Sequence, residues 1–256
     1  MLCLLYTTEE YTMRILGIIP ARFASTRFPG KPLTDIGGKT MIRRVYEQAS
    51  KANLQKVLVA TDDLRILEHV QSFGGNAVMT SENHESGTDR CFEAYQQNNE
   101  DFDFVINIQG EEPFIHPEQI NLLANVLQDN SVQLATLIKK IHTTEELQNF
   151  NLPKVVTDAR GQALLFSRQT IPFLRNVPQQ DWLLHHTFYK HIGIYGYRTD
   201  ILEQITQLPM GKLEKAESLE QLRWLENGYK IRTAVTEIEN LGIDTPEDLE
   251  KALRFL

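Results

Sequence analysis

Short apolar runs alternate with helical stripes through the first half of the chain. Residues 15–19 (Ile-Leu-Gly-Ile-Ile) read as a buried strand. Thr40 caps a helix over 41–52, whose Met41, Ile42, Val45 and Ala49 fall on one stripe. Residues 56–60 form a second strand, and 63–73 a helix that stops at Gly74-Gly75. A short strand at 77–79, a helix at 89–97, a β-branched strand at 104–108 and a helix at 117–127 continue the alternation. Repeated βα units of this kind predict an α/β fold, with a mostly parallel sheet and helices on both faces.

The second half is less regular. Strands are expected at 134–138, 191–197 and 231–235, and a helix at 215–227. Residues 155–157 and 163–166 flank Asp158-Ala159-Arg160-Gly161, a hairpin turn. Thr245 opens a final helix. With no long linker, repeat or low-complexity tract, residues 13–256 read as one domain carrying a small extra lobe at about 139–200. Met13 stands directly before the first strand and reads as the natural start, with residues 1–12 a disordered extension.

The chain's 256 residues suffice for one large α/β domain. A net charge of -8 argues against a nucleic-acid partner but leaves room for a locally basic nucleotide site. Cys3 and Cys91 build neither a disulfide framework nor a zinc motif, which suits a reducing cytoplasm. No apolar run is long enough for a membrane span, and residues 1–12 lack the features of a secretory signal.

The candidate chemistry begins in the loop after the first strand, Pro20-Ala21-Arg22-Phe23-Ala24-Ser25-Thr26-Arg27-Phe28-Pro29-Gly30-Lys31. Loops at the carboxyl end of such strands border the ligand crevice of open α/β sheets. Arg22, Arg27 and Lys31 there imply an anion of several charges, most simply a triphosphate. The P-loop pattern fails, because Lys31 is followed by Pro32 and position 25 is Ser25; the Rossmann glycine fingerprint fails too. Side chains must therefore carry much of the grip.

Four further segments stand out. Asn107-Ile108-Gln109-Gly110-Glu111-Glu112-Pro113 follows a strand, and a carboxylate facing a phosphate loop is a natural Mg²⁺ ligand. Asp244, in Gly242-Ile243-Asp244-Thr245-Pro246, reads alone as part of a helix cap and with Glu111 as a second metal carboxylate. His84-Glu85-Ser86-Gly87-Thr88-Asp89-Arg90 offers donors before a helix, although an ordinary N-cap explains it equally. Glu214, Glu217 and Gln221 share a face of a helix expected over 213–224, where Arg168 and His191 become further polar candidates. His185, His186 and His191 have no zinc-like spacing.

Together these segments, with His191-Ile192-Gly193-Ile194-Tyr195-Gly196-Tyr197-Arg198 and Leu219-Glu220-Gln221-Leu222-Arg223, resemble the 3-deoxy-manno-octulosonate (Kdo) cytidylyltransferases, in order from Met13 to the C-terminus. The resemblance implies a nucleotide-diphosphosugar-transferase type, three-layer α/β/α sandwich with a small dimerisation lobe. It implies a cytoplasmic homodimer that uses Mg²⁺ to make CMP-Kdo and pyrophosphate from CTP and Kdo, for lipopolysaccharide synthesis. Pro20, Ala21, Arg22, Arg27, Lys31, Ser86, Gly87, Thr88 and Arg90 would surround the nucleotide. Gln109, Arg168, His191, Glu217 and Gln221 would face the sugar, with Arg168 toward its carboxylate. Arg22, Lys31, Glu111 and Asp244 would be catalytic, and Glu111 and Asp244 would hold the metal.

One departure matters. The family carries Asp where this chain has Glu111, whose side chain is one methylene longer, which leaves Mn²⁺ open as an alternative metal. Other readings are a cytidylyltransferase for 8-amino-Kdo or a nonulosonate, a Rossmann oxidoreductase, and a catalytically dead nucleotide-binding protein.

Overall fold

Alternate residues of the first strand enter two different cores. The computed structural model describes residues 13–24, 28–239, 241–243 and 245–254. In it, β1 (Ile15–Ala21) sends Ile15 and Ile19 to one face of a sheet and Leu16 and Ile18 to the other. The period of two does the same on β2 (Lys56–Thr61), where Val57 and Val59 oppose Leu58 and Ala60. The apolar stripes of α1 (Met41–Ala49), α2 (Leu64–Ser72) and α4 (Pro117–Leu127) cover the first face. Helices α3 (Gly87–Gln97), α7 (Thr199–Thr206) and α9 (Gln221–Glu226) cover the second. Both faces are thus buried, which gives the three-layer α/β/α sandwich.

The remaining strands are β3 (Ala77–Met79), β4 (Phe104–Asn107), β5 (Leu134–Lys140), β6 (Lys154–Thr157), β7 (Ala163–Ser167), β8 (Tyr189–Arg198) and β9 (Ile231–Val235). The sheet runs β3-β2-β1-β4-β8-β5-β9. It is mostly parallel, with β8 antiparallel to both β4 and β5. The expected hairpin forms as β6 and β7, and β6 also pairs with β8. Beside it, Ile141, Leu147, Trp182 and Phe188 form a small separate core. Two short helices here, α5 (Thr144–Gln148) and α6 (Trp182–His185), and also α7, lack a sequence signal long enough to announce them. Among the described residues, no helix is long and apolar enough to cross a membrane.

The helix expected over 215–227 is instead two, α8 (Lys212–Glu217) and α9, broken where Ser218 takes a left-handed conformation (φ 52°). The break has a specific cause. Arg168 Nε donates to the Glu217 carbonyl at 2.7 Å and its Nη2 to the Ser218 carbonyl at 3.3 Å. Those carbonyls would otherwise seek helical partners. The last helix, α10 (Pro246–Leu253), begins at the expected Thr245, which forms a capping box with Asp248.

Candidate active site

The carboxyl ends of β1, β3 and β4 open onto one cleft. Its walls come from Pro20 and Ala21 at the end of β1 with Arg22 after it, Lys31, Ser86 and Gly87 at the start of α3, and Gln109, Gly110 and Glu111 after β4. Close backbone approach makes this possible. A Cβ on Gly110 would stand 2.8 Å from the Pro20 carbonyl oxygen. The cation-bearing loop is closed by Gly30, whose φ of 71° lets its N–H donate to the Phe23 carbonyl at 3.0 Å. The Arg65 guanidinium over the Phe23 ring, 3.4 Å from its centroid, holds the other side. Arg22 and Lys31 therefore share one cleft with Glu111, an arrangement suited to a polyanion accompanied by a cation.

Arg27 and Asp244, and with them residues 1–12, lie outside the described residues. The neighbour of Asp244 is placed: the Ile243 N–H donates to the Glu111 carbonyl at 2.9 Å. The Glu111 carboxylate lines the cleft and makes no hydrogen bond or ion pair with the described residues. Among those residues no group of three or more His, Cys, Asp and Glu side chains is arranged to hold a metal.

The expected nucleotide contacts divide. Ser86 and Gly87 face the cleft, and Ser86 Oγ also caps α3 by accepting the Asp89 N–H at 3.1 Å. Thr88, one helical step on, is turned inward; it is 2% exposed and donates to Glu220 Oε2 at 3.0 Å. Arg90 contributes to the cleft wall while its guanidinium donates to Thr80 Oγ1 at 2.6 Å and Asp62 Oδ2 at 2.8 Å. It braces the strand ends of β2 and β3.

The expected sugar contacts divide too. Gln109 lines the cleft; Arg168, His191, Glu217 and Gln221 do not. Glu217 is occupied by protein: Oε1 accepts from Ser167 Oγ at 2.7 Å and Oε2 from the Arg168 N–H at 2.9 Å. Arg168 spends one N–H on each of three carbonyls, those of Glu217, Ser218 and Phe150, and keeps two donors. Glu214 does not share the expected face, because it is buried in a two-pronged ion pair with Arg223 at 2.7 and 2.6 Å. His191 Nε2 lies 2.9 Å from Thr136 Oγ1, whose own hydrogen is directed to the Ile194 carbonyl at 2.7 Å. Nε2 must then be the donor, and Nδ1 carries the lone pair. Burial lowers the imidazole pKa to about 3, so it is neutral at physiological pH.

Behind Ser86 lies a polar cluster that the spacing alone does not single out. Burial pushes the Glu220 carboxyl up to about 7, against the hydrogen bonds from Thr88 and Ser86. Nearby, the Tyr195 hydroxyl, Gln221 Nε2 and Trp224 Nε1 are buried without a hydrogen-bond partner among the described residues. Tyr195 meets Trp224 edge to face, with centroids 5.1 Å apart, and His191 at 5.2 Å. The available signal was the alternation of Tyr195 and Tyr197 on β8, which puts both rings on one face of a strand.

Residues 16–238 match the family model described as Cytidylyltransferase. A 3-deoxy-manno-octulosonate cytidylyltransferase from Cytophaga hutchinsonii is 64% identical over 92% of this chain and 94% of its own. One from Parabacteroides distasonis is 58% identical over 95% and 98%. The solved structure of CMP:2-keto-3-deoxy-manno-octonic acid synthetase complexed with CTP matches with a TM-score of 0.87 at 43% identity, covering 94% of this chain and 98% of that one. At 14% identity, the 4-diphosphocytidyl-2C-methyl-D-erythritol synthase of Anaerococcus prevotii shares the fold, with a TM-score of 0.61. Fold and cleft thus define a nucleotidyltransferase of the cytidylyl class. Within that class, the chain belongs to the 3-deoxy-manno-octulosonate cytidylyltransferase family.

Proposed function

We infer that the protein transfers CMP from CTP to the anomeric hydroxyl of Kdo, giving CMP-Kdo for lipopolysaccharide synthesis and releasing pyrophosphate. The convergence of Arg22, Lys31 and Glu111 on one cleft carries this reading. The reaction is an in-line attack on the α-phosphorus and needs no covalent enzyme intermediate, so catalysis is positioning plus charge neutralisation. Arg22, Lys31 and Arg27 hold the triphosphate, and the two cleft cations offset the charge that grows on the departing pyrophosphate. Pro20, Ala21, Ser86 and Gly87 shape the nucleotide's bed.

A divalent cation fits the donor set. Glu111 offers a carboxylate without a partner among the described residues, and the Ile243 N–H, one residue before Asp244, is bonded to the Glu111 carbonyl. Mg²⁺ asks for one or two carboxylates, with phosphate oxygens and water completing the shell. Bound by Glu111 and Asp244, Mg²⁺ or Mn²⁺ would neutralise phosphate charge and favour ionisation of the sugar hydroxyl. On the sugar side, beyond the lining of this cleft, His191 Nδ1 would accept a hydroxyl hydrogen. Gln109 and Gln221 add amide donors, the two remaining Arg168 donors suit the carboxylate, and Glu217 keeps Arg168 in place.

A homodimer and a cytoplasmic location complete the reading. The lobe exposes Phe150, Leu164, Phe173 and Leu184, an apolar set that a second copy would cover. Sedimentation of the purified protein as a monomer at micromolar concentration would count against the dimer. The deciding experiment for the activity is pyrophosphate release from CTP and Kdo with and without Mg²⁺. Turnover that requires both substrates and the metal is expected; turnover with UTP and not CTP would defeat the assignment.

A further inference from the structure

His84 and Glu93 form a pair on the wall of the cleft that the proposed chemistry leaves unused. His84 lies in the turn after β3 and lines the cleft with Ser86 and Gly87. Its Nε2 is hydrogen-bonded to Glu93 Oε2 on α3. The same carboxylate oxygen accepts the Ser81 N–H at 2.8 Å, and Oε1 accepts from Gln97 Nε2 at 2.8 Å. Glu93 is thus fixed from three sides. Burial raises its pKa, but the Ser81 amide, His84 and Gln97 outweigh that and keep the carboxyl below its usual value. An ionised Glu93 can only accept, so Nε2 carries the proton. With Nε2 as the donor, Nδ1 is the nitrogen left to present a lone pair, and none of the described residues bonds to it.

The sheet order decides what meets that lone pair. From β3 outward the strands run β2, β1, β4, β8. The cations stand on the central β1 loop, and Gln109 and Glu111 on the far, β4 side. With the triphosphate on the β1 loop and the second substrate beyond β4, the nucleoside is left with the β3-side wall. Cytosine presents an exocyclic N4 amine, a donor, where uracil presents O4, an acceptor.

Building on the CTP reading above, we propose that His84 is a specificity residue for the nucleobase, accepting the cytosine amine at Nδ1 and opposing uracil, and that Glu93 is the positioning residue that fixes its orientation. The test compares kcat/KM for CTP and UTP, with Kdo, in the full-length wild type, His84→Ala, His84→Asn, Glu93→Ala and Glu93→Gln, alongside thermal melts. Wild type prefers CTP. His84→Ala lowers the CTP:UTP ratio about tenfold or more, mainly through CTP, because one amine partner is lost. His84→Asn, whose amide oxygen also accepts, recovers part of the ratio. Glu93→Ala lowers it as His84→Ala does, whereas Glu93→Gln, which retains an oxygen for both Ser81 and His84, preserves it. A purely structural role would lower both nucleotides together and leave the ratio unmoved. That result, or an unchanged His84→Ala enzyme, overturns the proposal alone. A wild type inactive with CTP and Kdo under Mg²⁺ overturns the functional reading, and this proposal with it.

Discussion

Arg168 and Glu217 hold each other twice: the Glu217 carboxylate accepts the Arg168 backbone N–H at 2.9 Å, and the Glu217 carbonyl accepts Arg168 Nε at 2.7 Å. This pair joins the end of β7 to the break between α8 and α9. Removing the carboxylate leaves Ser167 Oγ and the Arg168 N–H without their acceptor. Glu217→Ala is therefore expected to cost about 1–3 kcal/mol of stability. Glu217→Gln, which keeps one oxygen, should cost less. Urea unfolding of both variants checks this, and equal losses would show that the hydrogen bonds are not what matters.

The approach of Gly110 to Pro20 makes a second prediction. A methyl group at position 110 would press on the Pro20 carbonyl oxygen from 2.8 Å, and the atom it meets is backbone. Neither strand end can yield cheaply. Gly110→Ala should destabilise by about 1–3 kcal/mol and displace Glu111 from the cleft, lowering kcat more than it raises KM for CTP. An alanine variant with wild-type melting and turnover would mean that the β4 loop is free to retreat.

Much of the fold was legible because the alternation of periods is strong in the first half. Ile15, Leu16, Ile18 and Ile19 have two buried faces to fill, and the stripe of Ile42, Val45 and Ala49 fills one of them. The cleft was legible for a related reason: Arg22, Lys31, Ser86 and Glu111 all sit just beyond strand ends. What failed was local pattern set against long-range bonding. Residues 213–224 carry a helical pattern, yet Arg168 captures the carbonyls at 217 and 218 from a distant strand. Thr88 belongs to a donor-rich helix start, yet Glu220, remote in sequence, turns it inward. No spacing rule contains either partner.

Glu111 offers a sharper test of the metal reading. Its carboxylate lines the cleft without a partner among the described residues. Glu111→Ala should lose at least ~10²-fold in kcat/KM, the scale of several kcal/mol of lost charge stabilisation. Glu111→Asp should keep or raise activity, because it restores the shorter side chain of the family. Titrating Mg²⁺ and Mn²⁺ against each variant separates metal affinity from turnover. An alanine variant with full activity would remove Glu111 from the site.

Glu220 and His191 should tilt the pH dependence of stability in opposite directions. The Glu220 carboxyl is raised from 4.5 to about 7 by burial. Between those values the folded protein holds a proton that the unfolded chain has released, so this group's contribution is full below about pH 4.5 and is lost as the pH rises through 7. The shift corresponds to roughly 3 kcal/mol. His191 is lowered from 6.5 to about 3, also by burial. There the unfolded chain binds the extra proton, so stability is present above about pH 6.5 and is lost as the pH falls toward 3. Glu220→Gln keeps an acceptor for Thr88 and carries no charge. It should match wild type near pH 4 and exceed it near pH 8, by up to roughly 3 kcal/mol. His191→Gln should show the mirror image, matching wild type near pH 7.5 and losing less toward pH 4. Urea midpoints of the three proteins across pH 4–8 give both comparisons, and curves that run parallel to wild type would show that neither group titrates between its folded and unfolded values.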